Sequence, residues 1–197
     1  MATTSMRRPA RERLLDAAEE MFYERGIAAT GVDAVLKRAG VAPATLYAHF
    51  AGKDHLVAAY LQRRHERWRL VWDQALARCG DDATARALSI FDALEAFPGP
   101  KGVTRGCAFL AAAVEVVELD HPAHPWLEAD TRLLLERVHD LAAGTRATHP
   151  DALAAELLFL YDGALAARVR QAAAAGDWPA LTTTRALAAA AVARHVS

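Results

Sequence analysis

Residues 30–53 read TGVDAVLKRAGVAPATLYAHFAGK. The stretch predicts two short helices, Val32–Ala39 and Pro43–Phe50, divided at Gly40. Two short helices separated by three or four residues with glycine at the turn form a helix-turn-helix. Gly40 takes a backbone angle that a β-carbon hinders. Val35, Ala39, Val41, Leu46 and Phe50 suit a small three-helix core with Leu14 and Phe22. That packing leaves the outer face of Pro43–His49 free to enter a DNA major groove.

Upstream, Leu14, Ala17, Ala18, Met21 and Phe22 share one face of a helix from Pro9 to Arg25, stopped by Gly26. Downstream, a long helix is expected over Lys53–Arg78 and another over Ala83–Phe97, ended by Pro98-Gly99-Pro100. Arg105–Leu119 is so apolar that it reads as a largely buried helix. Helices over Trp126–Ala143, Asp151–Ala175 and Pro179–His195 complete about nine. Strand patterns and hairpin dipeptides are scarce, so the class is all-α.

The 197 residues suit one moderate domain or a small domain joined to a larger one. No apolar run approaches the roughly 20 residues of a membrane span. Met1–Arg13 has no signal-peptide pattern. The expectation is a cytoplasmic protein with no membrane association. Two cysteines, Cys79 and Cys107, make neither a disulfide framework nor a zinc module. Residues 1–78 carry 13 Lys/Arg against 9 Asp/Glu, whereas residues 79–197 carry 10 against 15. A basic front and an acidic rear suggest that the front meets an anion.

Residues 39–57, AGVAPATLYAHFAGKDHLV, resemble the signature of the TetR/AcrR family of transcriptional regulators, and the resemblance covers about residues 10–60. It implies an N-terminal arm and helix-turn-helix DNA-binding domain over residues 1–52. It also implies a helical domain over 53–197 that binds a small effector and forms a homodimer through the last two helices. The same resemblance implies that Thr45, Tyr47 and Lys53 hold backbone phosphates of a double-stranded operator. It places Pro43, Ala44 and His49 near base edges, and Thr30 near the DNA backbone at the start of the second helix. Hydroxyl, phenol and ammonium donors suit phosphate oxygens, and such contacts set register more than sequence. Pro43 and Ala44 offer only apolar contact, which shifts specificity toward DNA shape. Two residues depart from the pattern. Ala42 stands where Ser or Thr would cap the recognition helix, and Leu36 where the family often has Ala.

Arg7, Arg8, Arg11 and Arg13 are basic. Arg7 and Arg8 read equally as a DNA-contacting arm or a solvated tail, and Arg11 and Arg13 as the solvated face of the first helix. For the effector, Trp68, Trp72, Phe91, Cys107, Leu110, Glu115 and Phe159 are candidates, with Ser89, Tyr161 and Asp162 as further polar groups. Each apolar member taken alone reads more readily as plain core, while the set as a whole is expected to include some that line a cavity. Glu115 must find a partner, either Arg132 or Arg168, or a ligand. The expected effector is apolar. No metal or other cofactor is expected: His121 and His124 are interrupted by prolines, and Cys107 reads as a small apolar group. No nucleophile elbow, phosphate loop or HExxH motif supports an enzyme. Two alternatives remain at this point, a DNA-binding regulator without a small ligand and a helical enzyme.

Overall fold

The computed structural model describes residues 8–97, 106–174 and 180–196. Within them lie nine helices and no strand: α1 (Ala10–Arg25), α2 (Val32–Ala39), α3 (Pro43–His49), α4 (Lys53–Arg78), α5 (Ala83–Ala96), α6 (Ala108–Glu115), α7 (His124–Gly144), α8 (Pro150–Ala174) and α9 (Ala180–Val196). The all-α expectation holds. Pro98-Gly99-Pro100, Arg105, Arg7, Ala175 and Pro179 lie outside the described residues.

Two compact units divide the chain, Met1–Arg63 with Ala108–Leu127, and Arg64–Cys107 with Glu128–Ser197. This differs from the sequence boundary at 52/53. The start of α4 belongs to the first unit because Leu56, Val57, Tyr60 and Leu61 are buried there. The α6 segment belongs to the first unit as well, which periodicity within α6 cannot reveal.

In the first unit α1 packs on α2 and α3. Leu14, Phe22, Val35, Leu36, Ala39, Leu46 and Phe50 are all buried, as the apolar spacing predicts, while Val41 is half-buried. Phe22 meets Tyr60 of α4 edge-on at 5.8 Å. Arg63 fastens α4 to α1, donating to Asp16 at 2.8 Å, Glu19 at 2.6 Å and the Leu15 carbonyl at 2.8 Å. Arg38 of α2 forks onto Glu20 of α1 at 2.5 and 2.9 Å.

Arg13 corrects the reading of a solvated residue. Its Nη1 donates to the carbonyls of Ala39 and Gly40 at 2.9 and 3.0 Å. A cation there satisfies acceptors at the C-terminus of α2 and complements the negative end of its dipole.

The α6 reading is corrected too. The helix is shorter than Arg105–Leu119 and mostly not buried: only Ala108, Phe109 and Ala112 are. Leu110, Val114, Val117 and Leu119 are exposed in this chain. A turn at Glu118–His121, closed by the His121 N–H on the Glu118 carbonyl, replaces the last expected turns.

The second unit has one core, including Trp68, Trp72, Phe91, Leu94, Val138, Leu153, Leu157, Tyr161 and Val192. Within it α9 packs on α5 and α8.

Candidate nucleic-acid interface

Helix α3 is seven residues long and held to the first unit by one fully buried side chain, Leu46. Ala42 provides no cap, and Pro43 opens the helix where its missing N–H costs nothing. The entry into α3 is fixed from the other side. Gly40 sits at φ 63° and donates to the Leu36 and Lys37 carbonyls, ending α2 in the left-handed turn.

With Leu46 facing inward, the opposite face is open. Tyr47 is 66% exposed. Pro43, Ala44 and His49 are exposed, and Thr45 is half-buried. Arg11 of α1 lies over the Phe50 ring at 5.5 Å, beside the end of this helix. Lys53 is half-buried at the first turn of α4. An ammonium at the positive end of a helix gains nothing from the dipole, so its position is not explained by local stability.

Thr30 behaves differently from the other expected DNA-binding residues. It is 1% exposed, and its hydroxyl donates to the Gly26 carbonyl at 2.7 Å, with the Met21 carbonyl at 3.3 Å. The side chain closes the α1–α2 connection from within and presents no donor outward.

Residues 14–60 match the family model of bacterial regulatory proteins of the tetR family. A crystallised protein of Streptomyces avermitilis described as a TetR transcriptional regulator is 31% identical, with 91% of this chain and 98% of that one covered at a TM-score of 0.65. The chain belongs to the TetR family. A TetR-family transcriptional regulator of Streptomyces coelicolor superposes at a TM-score of 0.83 with 29% identity, covering 95% of this chain and 96% of that one. The HTH-type transcriptional regulator UidR of Escherichia coli is 39% identical over 59 residues, 30% of either chain. The match therefore spans under a third of that relative's length.

In TetR-family terms the remaining candidates belong to the helical region after the helix-turn-helix, and the structure brings only some of them together. Trp68, Trp72 and Phe91 share the core of the second unit, and half-buried Cys107 packs against it. Trp68 lies 5.7 Å from Trp72, 5.5 Å from Phe97 and 6.0 Å from Tyr161, ring centre to ring centre. Trp72 donates its indole N–H to fully buried Ser89 at 3.0 Å. The indole Nε1 of Trp68 is buried and finds no hydrogen-bond partner. Asp130 is buried with its carboxylate 3.6 Å from His65, and burial pushes its pKa up against the opposing pull of His65 and Arg64. Burial likewise raises the Tyr161 phenol. Of these groups His65 and Asp130 escaped the sequence reading, because an imidazole and a carboxylate on two separate helices look solvated until those helices pack together.

Phe159 and Leu110 stand apart, 76% and 55% exposed. The bond that Glu115 makes is to neither expected arginine, Arg132 or Arg168. Its Oε2 accepts the Ala28 N–H at 2.6 Å in the first unit, where α6 has its core. Arg168 donates to the Leu94 carbonyl. His121 accepts the Ala123 N–H on Nδ1 and lies 3.5 Å from Asp54 through Nε2. Among the described residues no group of three His, Cys, Asp or Glu could hold a metal ion. Among the described residues no helix is long and apolar enough to cross a membrane.

Proposed function

We propose that this chain is a DNA-binding transcriptional repressor that grips a double-stranded operator as a homodimer and lets go when a small apolar effector binds its helical region. The carrying observation is the split of α3: Leu46 is fully buried while Tyr47, Pro43, Ala44 and His49 face out, and Lys53 opens the next helix. Tyr47, Thr45 and Lys53 donate to phosphates, and Pro43, Ala44 and His49 approach base edges. Thr30 acts from inside, by shaping the turn before α2. Occupancy of a promoter by such a dimer blocks transcription.

Dimerisation through α8 and α9 is supported by the apolar groups they leave exposed, namely Phe159, Val169, Leu187 and Val196. An isologous pair buries them and sets two recognition helices on successive turns of one duplex face, roughly 35 Å apart. Effector binding is supported by Trp68, a buried donor without an acceptor amid Trp72, Phe97 and Tyr161. Pockets for small molecules combine apolar walls with a few such polar groups. The linkage is reciprocal: an effector that weakens DNA binding is itself bound less tightly by the DNA complex, by the same factor.

A band-shift titration with duplexes from the protein's own upstream region tests the DNA reading. Tyr47→Ala and Lys53→Ala should each weaken binding about tenfold, and by a similar factor on every duplex tested, because a phosphate contact is shared by all sequences. Unchanged affinity in both variants would refute the assignment.

A further inference from the structure

We propose that Glu115 is a positioning residue for DNA binding: its carboxylate anchors the connection between α1 and α2 and so holds the helix-turn-helix ready for the operator. The inference rests on the groove-reading function proposed above and adds a residue outside the motif to it.

Glu115 is the last residue of α6. A carboxylate at the negative end of a helix is mildly unfavourable, so α6 itself gains nothing from it. What Glu115 does make is the 2.6 Å bond from the Ala28 N–H, a charge-assisted contact reaching across 87 residues. Ala28 lies in the connection joining α1 to α2. The other ties of that connection are local: the Gly26 N–H to the Phe22 carbonyl, the Thr30 N–H to the Ile27 carbonyl and the Thr30 hydroxyl to the Gly26 carbonyl. Gly31, which caps α2, has no side chain to help. Glu115 therefore supplies a restraint from a distant segment at the point where α2 is launched.

The same place touches the phosphate-facing end of α4. Ile27, Ala28, Lys53, Asp54 and Glu115 line a shared cavity of about 400 Å³. A turn fixed here keeps α2, and the start of α4 that carries Lys53, in one arrangement before DNA arrives. Ordering a loose turn on binding costs affinity, and prior ordering removes that cost.

The test uses the full chain and a fluorescein-labelled duplex from its own upstream region. Glu115→Ala should weaken binding about fivefold to tenfold, the effect of removing one charge-assisted hydrogen bond. Its dependence on salt should match wild type, because every phosphate partner is still present. Glu115→Gln keeps an accepting oxygen and should stay within about threefold of wild type. Amide exchange at Ala28 should accelerate in Glu115→Ala while the core of the unit remains protected. Wild-type affinity in Glu115→Ala, an equal weakening in Glu115→Gln, or faster exchange spread over the whole unit would overturn the positioning role. A wild-type chain that ignores every duplex would overturn the DNA reading itself, a result these variants cannot imitate.

Discussion

Trp68 and Trp72 are neighbours on one face of α4 with opposite polar balances. Trp72 has given its N–H to Ser89, whereas Trp68 has no acceptor. Trp72→Phe leaves the buried Ser89 hydroxyl without that donor and should cost about 2 kcal/mol in urea unfolding. Trp68→Phe deletes an unmatched donor and should leave stability within about 1 kcal/mol of wild type. Equal costs for the two variants would mean that Trp68 has an acceptor after all. Thr30 makes a second case. Thr30→Val keeps the shape but removes the hydroxyl from the Gly26 carbonyl. It should lower stability by about 1–2 kcal/mol while leaving the salt dependence of operator binding unchanged, because the hydroxyl meets the protein and not a phosphate. The outward face of Tyr47 was readable from the order of residues, because the motif turns Leu46 inward beside it. Thr30 was not, since the same residue type before a helix serves a phosphate or a carbonyl equally well. Only the fold decides which oxygen is near.

Helix α2 ends where Gly40 turns left-handed and where Arg13 of α1 holds its last carbonyls. A β-carbon at Gly40 would meet nothing closer than the Arg13 guanidinium at 3.7 Å, so substitution there carries backbone strain rather than a clash. Gly40→Ala should cost about 1–2 kcal/mol, read as a lowered urea midpoint. Gly106 is a contrasting case at φ 72°. An added β-carbon would lie 2.8 Å from Val169, so strain and clash would add there. The glycine after α2 was legible because a helix-turn-helix needs it. Arg13 was not legible, because a basic residue on an amphipathic helix looks solvated until the partner helix is in place. Helix α6 shows a deeper limit. Its run of alanines and Phe109 marks a helix, but the run carries no sign of which core it joins. The choice of the first unit is made by tertiary contacts such as Glu115 on Ala28, 87 residues away. Its apolar surface likewise does not imply burial within one chain, as Val114 and Leu119 demonstrate.

Across the whole chain, the helical class and the helix-turn-helix followed from periodicity and one motif, while the second unit carried no comparable signal. Pockets tolerate many apolar sequences, so residues 64–107 and 128–197 specify a core more clearly than a ligand. The proposed dimer is the molecular feature that turns α3 into a two-site reader. Phe159→Asp, placed on the exposed side of α8, should shift the protein to monomer in sedimentation velocity at micromolar concentration. Operator affinity should fall with it, because one recognition helix then binds without its twin. A variant that stays dimeric would move the interface elsewhere. All of this depends on α3 and the start of α4 gripping a duplex through its phosphates. Anisotropy titrations of wild type and Lys53→Ala across a salt series read that grip without an intermediary. The slope of log affinity on log salt should become shallower by about two in the variant, because each protomer then neutralises one phosphate fewer, at roughly 0.9 apiece. Identical slopes, or no duplex binding by wild type even at low salt, would show that Lys53 and its helix do not hold DNA.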